Sequence, residues 1–242
     1  MSPTAIPGNL ILQSPSNSIW KITSDQVNPP GDAAITYGIT NAGGVFNLRS
    51  TGTVDYEVEW GDGNVEISTL NTLPHTYTAG DYTLGVYSDG VYRPYFNNVT
   101  ADANQITSVA IGPGADLGTD LSNAWYGASN MTSFDAASGV TSSVTIFAFT
   151  WFNCSSLTSF PANMFDTTGT LVSNAFDQAW FGCALTAQSI ENILVSLDTN
   201  GATGITLSID GGTNAAKTTW SAAAVTAYDN LIVKGWTISF NA

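Results

Sequence analysis

The stretch WYGASNMTSF, Trp125 to Phe134, is followed by WFNCSSLTSF, Trp151 to Phe160, and then by WFGCALT, Trp180 to Thr186, which is one residue shorter before its leucine. The tryptophans stand 26 and 29 positions apart. Self-similarity at such a period constrains the fold more than anything else in the chain. A unit of this size cannot bury its own apolar face, so the copies must stack into a short solenoid whose equivalent residues form ladders. Trp151, Cys154 and Leu157 recur every three residues, as on one side of a tight helical turn, which puts them inside with Trp125, Trp180, Cys183 and Leu185. Tyr126, Phe152 and Phe181 follow the tryptophans and are the column assigned to the outside, where aromatic rings can stack on sugars. Both cysteines occupy one phase of the repeat, and Ala128 takes it a copy earlier, the exchange expected of a small buried residue. A reduced buried pair is the expectation; a disulfide needs the two Cα atoms within about 7 Å.

Upstream the periodicity changes. Val54, Tyr56, Val58 and Trp60 alternate with Asp55, Glu57 and Glu59, the period-two pattern of a half-buried strand. Gly61 to Asn64 turns the chain into Val65 and Ile67. Further strands are expected at Tyr82 to Ser88 and Val91 to Phe96, joined by an Asp89-Gly90 type I′ hairpin. Short strands at this spacing predict a small sandwich. Up to about Thr36 the chain is rich in Pro, Ser and Asn around one extended piece, Ser18 to Thr23, and reads as an arm whose Trp20 and Ile22 are candidates for docking on a partner. After the repeats, Ala187 to Leu197 has helical spacing between the N-cap Thr186 and Gly201. A strand at Thr206 to Ile209, a helix from Ser221 to Lys234 and a strand from Trp236 to Phe240 would close the stack.

The fold class that follows is mainly β with an α+β C-terminal part. It comprises an N-terminal arm and linker (1–36), a β-sandwich (37–100) and a repeat domain with a strand-helix-strand cap (101–242). Charged residues make up only 10% of the chain, a composition usual in β-rich proteins that work outside cells. Five basic residues face nineteen acidic ones, too few to neutralise phosphates, so nucleic acid is excluded as a partner. Anionic membrane surfaces are disfavoured for the same reason, and no apolar run approaches the roughly 20 residues that span a bilayer. The first residues, MSPTAIPGNLILQSP, lack the basic and apolar regions of an export signal. An extracellular composition without such a signal fits a viral structural protein released by lysis, or a secreted protein whose signal has been removed.

Two motifs carry a resemblance. Trp60-Gly61-Asp62-Gly63 followed by His75-Thr76-Tyr77, Gly80 and Tyr82-Thr83 resembles the pattern of PKD-like, immunoglobulin-type domains. Phe152-Asn153-Cys154-Ser155-Ser156-Leu157-Thr158-Ser159-Phe160 is similar to the consensus of BspA-type leucine-rich repeats, although Trp stands where Phe is usual and Ala128 replaces the first Cys. The order of the two resembles surface proteins of bacteria and virion proteins of their phages. The resemblance implies adhesion or structural display, with no shared catalytic residues.

Candidate chemistry is sparse. His75 is the only histidine, so no multi-histidine metal site exists, and within its motif it is expected to hydrogen-bond at a strand start. Asp62, Asn64 and Glu66 have the alternating oxygen spacing of a calcium loop, without its central glycine and its twelfth-position acid, and form the one calcium candidate. A carboxylate pair for glycoside hydrolysis cannot be picked out among nineteen acids. Three Asn-X-Ser/Thr sites, at Asn98, Asn130 and Asn153, are chance matches if the chain is never exported.

The expectation is therefore a non-enzymatic phage virion surface protein without cofactor other than that calcium candidate, as capsid decoration or as head or tail fibre. It would be oligomeric in the particle, joined to other virion proteins through its arm, with host-surface carbohydrate as the candidate ligand. The alternatives are a bacterial cell-surface adhesin and a polysaccharide depolymerase.

Overall fold

The computed structural model of this chain describes residues 10–13, 19–22, 35–51, 55–88 and 90–242, the first two stretches as backbone alone. The chain divides into two units, Met1–Asp32 and Ala33–Ala242. In the first, β1 (Leu10–Gln13) pairs antiparallel with β2 (Ile19–Ile22), placing Leu12 opposite Trp20 and Leu10 opposite Ile22. β2 is the extended piece expected there. The docking role expected of Trp20 and Ile22 concerns side chains outside the described residues.

The second unit is built on two long strands. β3 (Ile35–Thr51) and β6 (Thr72–Ser88) run antiparallel from the pair Ile35–Val86 to the pair Arg49–Thr72. Along β3 the buried apolar side chains are first Ile35, Tyr37 and Ile39, then Phe46 and Leu48, so the buried face changes parity midway. β6 changes in the same way, from Leu73 and Tyr77 to Leu84 and Val86. Because side chains alternate strictly along a strand, the ribbon must twist strongly to turn both of its faces to one core. Gly43 and Gly44, at φ +92° and +142°, sit at the change and supply the backbone freedom for it. Phe96 then joins the two halves, its ring 6.5 Å from that of Tyr37 and 6.4 Å from that of Phe46.

β4 (Tyr56–Glu59) adds to β6, and β5 (Val65–Ser68) adds to β4. Tyr56, Val58 and Trp60 are buried, as the alternation predicts, whereas Val65 and Ile67 on the edge strand are exposed. On the other side of β3 lie β8 (Ile106–Ile111), antiparallel, and β9 (Ser133–Ala136), parallel to β8. One sheet thus runs β5-β4-β6-β3-β8-β9. Asp89 of the expected Asp89-Gly90 hairpin lies outside the described residues, and among the described residues the segments on either side of it do not pair with each other. β6 ends at Ser88, and β7 (Arg93–Pro94) pairs with the end of β3 instead. Pro94 has no N–H for a ladder, and the Tyr92 and Phe96 amides bond to Asp116 and Asn123, where both rings reach the core. Four residues later a single turn of helix, α1 (Thr100–Ala103), leads into β8.

Past β8 the copies are held in register by hydrogen bonds from alternate amides. Trp125 donates to Thr150, Trp151 to Ala179 and Trp180 to Ser208, at 2.9, 3.0 and 3.2 Å. Two residues further on, Gly127 donates to Phe152, Asn153 to Phe181 and Gly182 to Asp210. The positions two before and two after each tryptophan are left-handed: Asn123, Phe149 and Gln178 at φ 62°, 59° and 49°, and Gly127, Asn153 and Gly182 at 74°, 55° and 79°. Gly and Asn adopt this conformation readily, while Phe149 does so at a cost of roughly 1–2 kcal/mol.

α2 (Ala187–Asn200) starts at Thr186, whose hydroxyl accepts the Ser189 amide, and stops at Gly201, φ +81°. β10 (Thr206–Ile209), α3 (Ala222–Val233, capped by Ser221) and β11 (Thr237–Phe240) follow, with β11 parallel to β10. These elements match the expected ones to within three residues at each end. Strand exceeds helix twofold, 32% against 16%, and the helix lies almost wholly after residue 186, which makes the chain mainly β with an α+β C-terminal part.

Candidate functional site

The three tryptophans are fully buried and stacked. Trp125 and Trp151 lie 6.0 Å apart at 21°, and Trp151 and Trp180 lie 4.9 Å apart at 6°. Phe134 and Phe160 form a parallel column at 5.3 Å and meet the indoles edge to face: Phe134 at 5.0 Å from Trp151, Phe160 at 5.3 Å from Trp180. A third column, Phe147 on Phe176 at 5.1 Å and 5°, has no counterpart in the motif alignment. Leu157 and Leu185 complete the interior.

Cys154 and Cys183 are buried and unbonded to each other. Each does more than fill space, because its thiol donates across the stack: Cys154 to the Trp125 carbonyl at 3.2 Å, Cys183 to that of Trp151 at 3.1 Å. Asn214 makes the third step. Its amide donates to the Trp180 carbonyl at 2.9 Å, while its own oxygen accepts the Leu185 amide. Asn214 lies outside the repeat alignment, and only the fold brings it into phase. Burial raises the Cys154 thiol well above its ordinary value and pushes that of Cys183 up to about 12, so neither is a thiolate nucleophile near neutrality.

The outer column is also stacked, Tyr126 on Phe152 at 4.8 Å and 16°, and Phe152 on Phe181 at 5.5 Å and 14°. All three are half-buried. Their faces are turned to one another, and Gly211 packs so close to Phe181 that a Cβ there would stand 2.9 Å from the ring. A sugar platform needs a free ring face, and Phe152 carries a ring on each of its faces. Beside them runs an exposed hydroxyl ladder, in which Thr132 donates to the Thr107 carbonyl, Thr158 to that of Thr132 and Thr186 to that of Thr158.

In the sheet, His75 stacks on Trp60 at 4.4 Å and 9°, stands edge-on to Tyr77 and bonds Asp62 through Nε2 at 2.8 Å. Tyr77 donates to the Trp60 carbonyl at 2.8 Å. The motif residues therefore grip one another, and His75 is fixed by an acid and two rings. Burial works to raise the Asp62 carboxyl, but bonds from His75 and Asn64 outweigh it and hold it below its ordinary value. Those bonds engage both Asp62 oxygens, His75 on Oδ2 and the Asn64 amide on Oδ1. Among the described residues no group of three or more His, Cys, Asp or Glu is placed to hold a metal ion.

A second clamp had no signal in the sequence. Asp102, buried in α1, accepts the Asn47 amide and side chain on Oδ1 and Arg49 Nε on Oδ2 at 2.7 Å, fastening α1 to β3.

No family model, curated protein or solved structure matches the chain. Among the described residues no helix is long and apolar enough to cross a membrane.

Proposed function

We propose that this chain is a non-enzymatic structural protein of a phage virion surface, with an immunoglobulin-like PKD-type part followed by a leucine-rich-repeat-like stack that it displays outward. The observation that carries the reading is how the reactive side chains are used. The single histidine is packed between Trp60, Tyr77 and Asp62, and both cysteines are internal donors. Chemistry-bearing groups serve rigidity, as a display element requires. The acidic, weakly charged composition and the WGDG and CSSLTS motifs support the same reading. The arm, residues 1–36, is the attachment element to other virion proteins. Mass spectrometry and antibody-labelled electron microscopy of purified particles test this: the protein should be found on their surface, and deletion of residues 1–36 should abolish incorporation. Recovery from bacterial envelopes and not from particles would establish the cell-surface adhesin instead, and release of sugar from host polysaccharide would establish a depolymerase.

A further inference from the structure

Among the described residues, Arg49, Arg93 and Lys234 each pair with a carboxylate, that of Asp102, Asp120 and Asp198 respectively. Lys217 does not, in a chain with nineteen acids. Its ammonium lies 3.5 Å from the centroid of the Tyr228 ring and 5.2 Å from that of Phe240. Trp220 closes the group, 5.9 Å from Tyr228 and 5.4 Å from Phe240, while Tyr228 and Phe240 meet at 5.5 Å and 85°. The rings come from separate elements: Tyr228 from α3, Phe240 from β11 and Trp220 from the end of the 3-10 turn Lys217–Thr219. The Trp220 indole is fixed by a bond to the Ala215 carbonyl at 3.0 Å, and the turn by a bond from the Lys217 amide to Asn241.

Two rings fixed around an ammonium, with Trp220 packed against both, make a site selective for cations by their quadrupoles. A primary ammonium is strongly hydrated and gives up much of that hydration on a ring, whereas a quaternary ammonium is weakly hydrated and presents methyl groups that fill the same space. We propose that Trp220, Tyr228 and Phe240 form a binding site for a quaternary ammonium group of the trimethylammonium type, kept filled by Lys217 until such a ligand displaces it. The proposal is independent of the display reading.

The test is a titration of the full chain with choline, followed by NMR on the Trp220 indole N–H, assigned with Trp220→Phe. Lys217→Ala should bind choline at about millimolar concentration and the unaltered protein about tenfold more weakly. The uncharged isostere 3,3-dimethylbutan-1-ol should leave the signal unmoved, and adding Tyr228→Leu to Lys217→Ala should abolish binding. If Lys217→Ala loses its folded circular dichroism, Lys217→Gln, which keeps most of the stem, is titrated in its place. No shift up to about 100 mM choline in the folded variant, equal binding of the neutral isostere, or equal affinity in the unaltered protein would each overturn the proposal.

Discussion

Cys154 shares its repeat phase with Ala128, yet its thiol spans to the Trp125 carbonyl. Cys154→Ala should therefore cost about 1–2 kcal/mol in urea denaturation, the sum of a lost hydrogen bond and a small void. Cys154→Ser, which keeps a donor, should be less damaging; a serine worse than alanine would show that packing alone matters. The thiols also set a pH window. Burial raises both in the fold, whereas in the unfolded chain they ionise near 8.5, so their contribution is full below about 8.5 and is lost as pH rises through the folded values. A Cys154→Ala, Cys183→Ala double variant should flatten the fall in urea midpoint between about pH 8.5 and 10. Asp62 acts at the other end. Its carboxyl is held low in the fold, so its contribution is full above about 3.9 and is lost as pH falls through the folded value. Asp62→Asn should weaken the pH dependence of stability below about pH 4, and an unchanged acid limb would refute the role given to the His75 bond. The repeat motif made the cysteines' location legible. Their donor role was not, because it depends on which carbonyl of the previous copy lies opposite.

Single contacts also decide whole elements. α1 is one turn long and has no side-chain cap, so its place rests on Asp102. Asp102→Ala leaves Arg49 and the Asn47 amide without their acceptor in a largely buried setting, and should cost about 3 kcal/mol in thermal or urea unfolding. A loss below about 1 kcal/mol would show that the clamp is dispensable. The clamp escaped sequence analysis because its partners are 53 and 55 residues apart and match no local pattern. α2 was legible to its caps, since Thr186 and Gly201 act on the turns beside them, and α3 to within one residue at each end. The false hairpin after β6 shows the limit of such signals: Asp89-Gly90 permits a tight turn, but the burial of Tyr92 and Phe96 draws the following segment to β3 and the repeats.

At the scale of the molecule, residues 33–242 share one apolar core, in which Phe134 touches both Trp125 and Trp151 and β8 carries the sheet into the first copy. Such a unit should unfold in one transition, with circular dichroism and tryptophan fluorescence coincident; two separated transitions would divide the sheet from the stack. Trp151→Ala, in the middle rung, should cost about 4 kcal/mol and lower the midpoint of both probes together. By itself the sequence determined what is local or periodic: the stacking of three copies, which column faces in, the caps of α2 and the alternating strand that ends in Trp60. Only the tertiary structure decided what depends on residues far apart in the chain. It stacked the outer aromatic rings on one another, engaged both Asp62 oxygens, brought Asn214 into the cysteine phase and set Lys217 on the Tyr228 and Phe240 rings, because a hydrogen bond or ring contact forms with whatever neighbour the packing supplies.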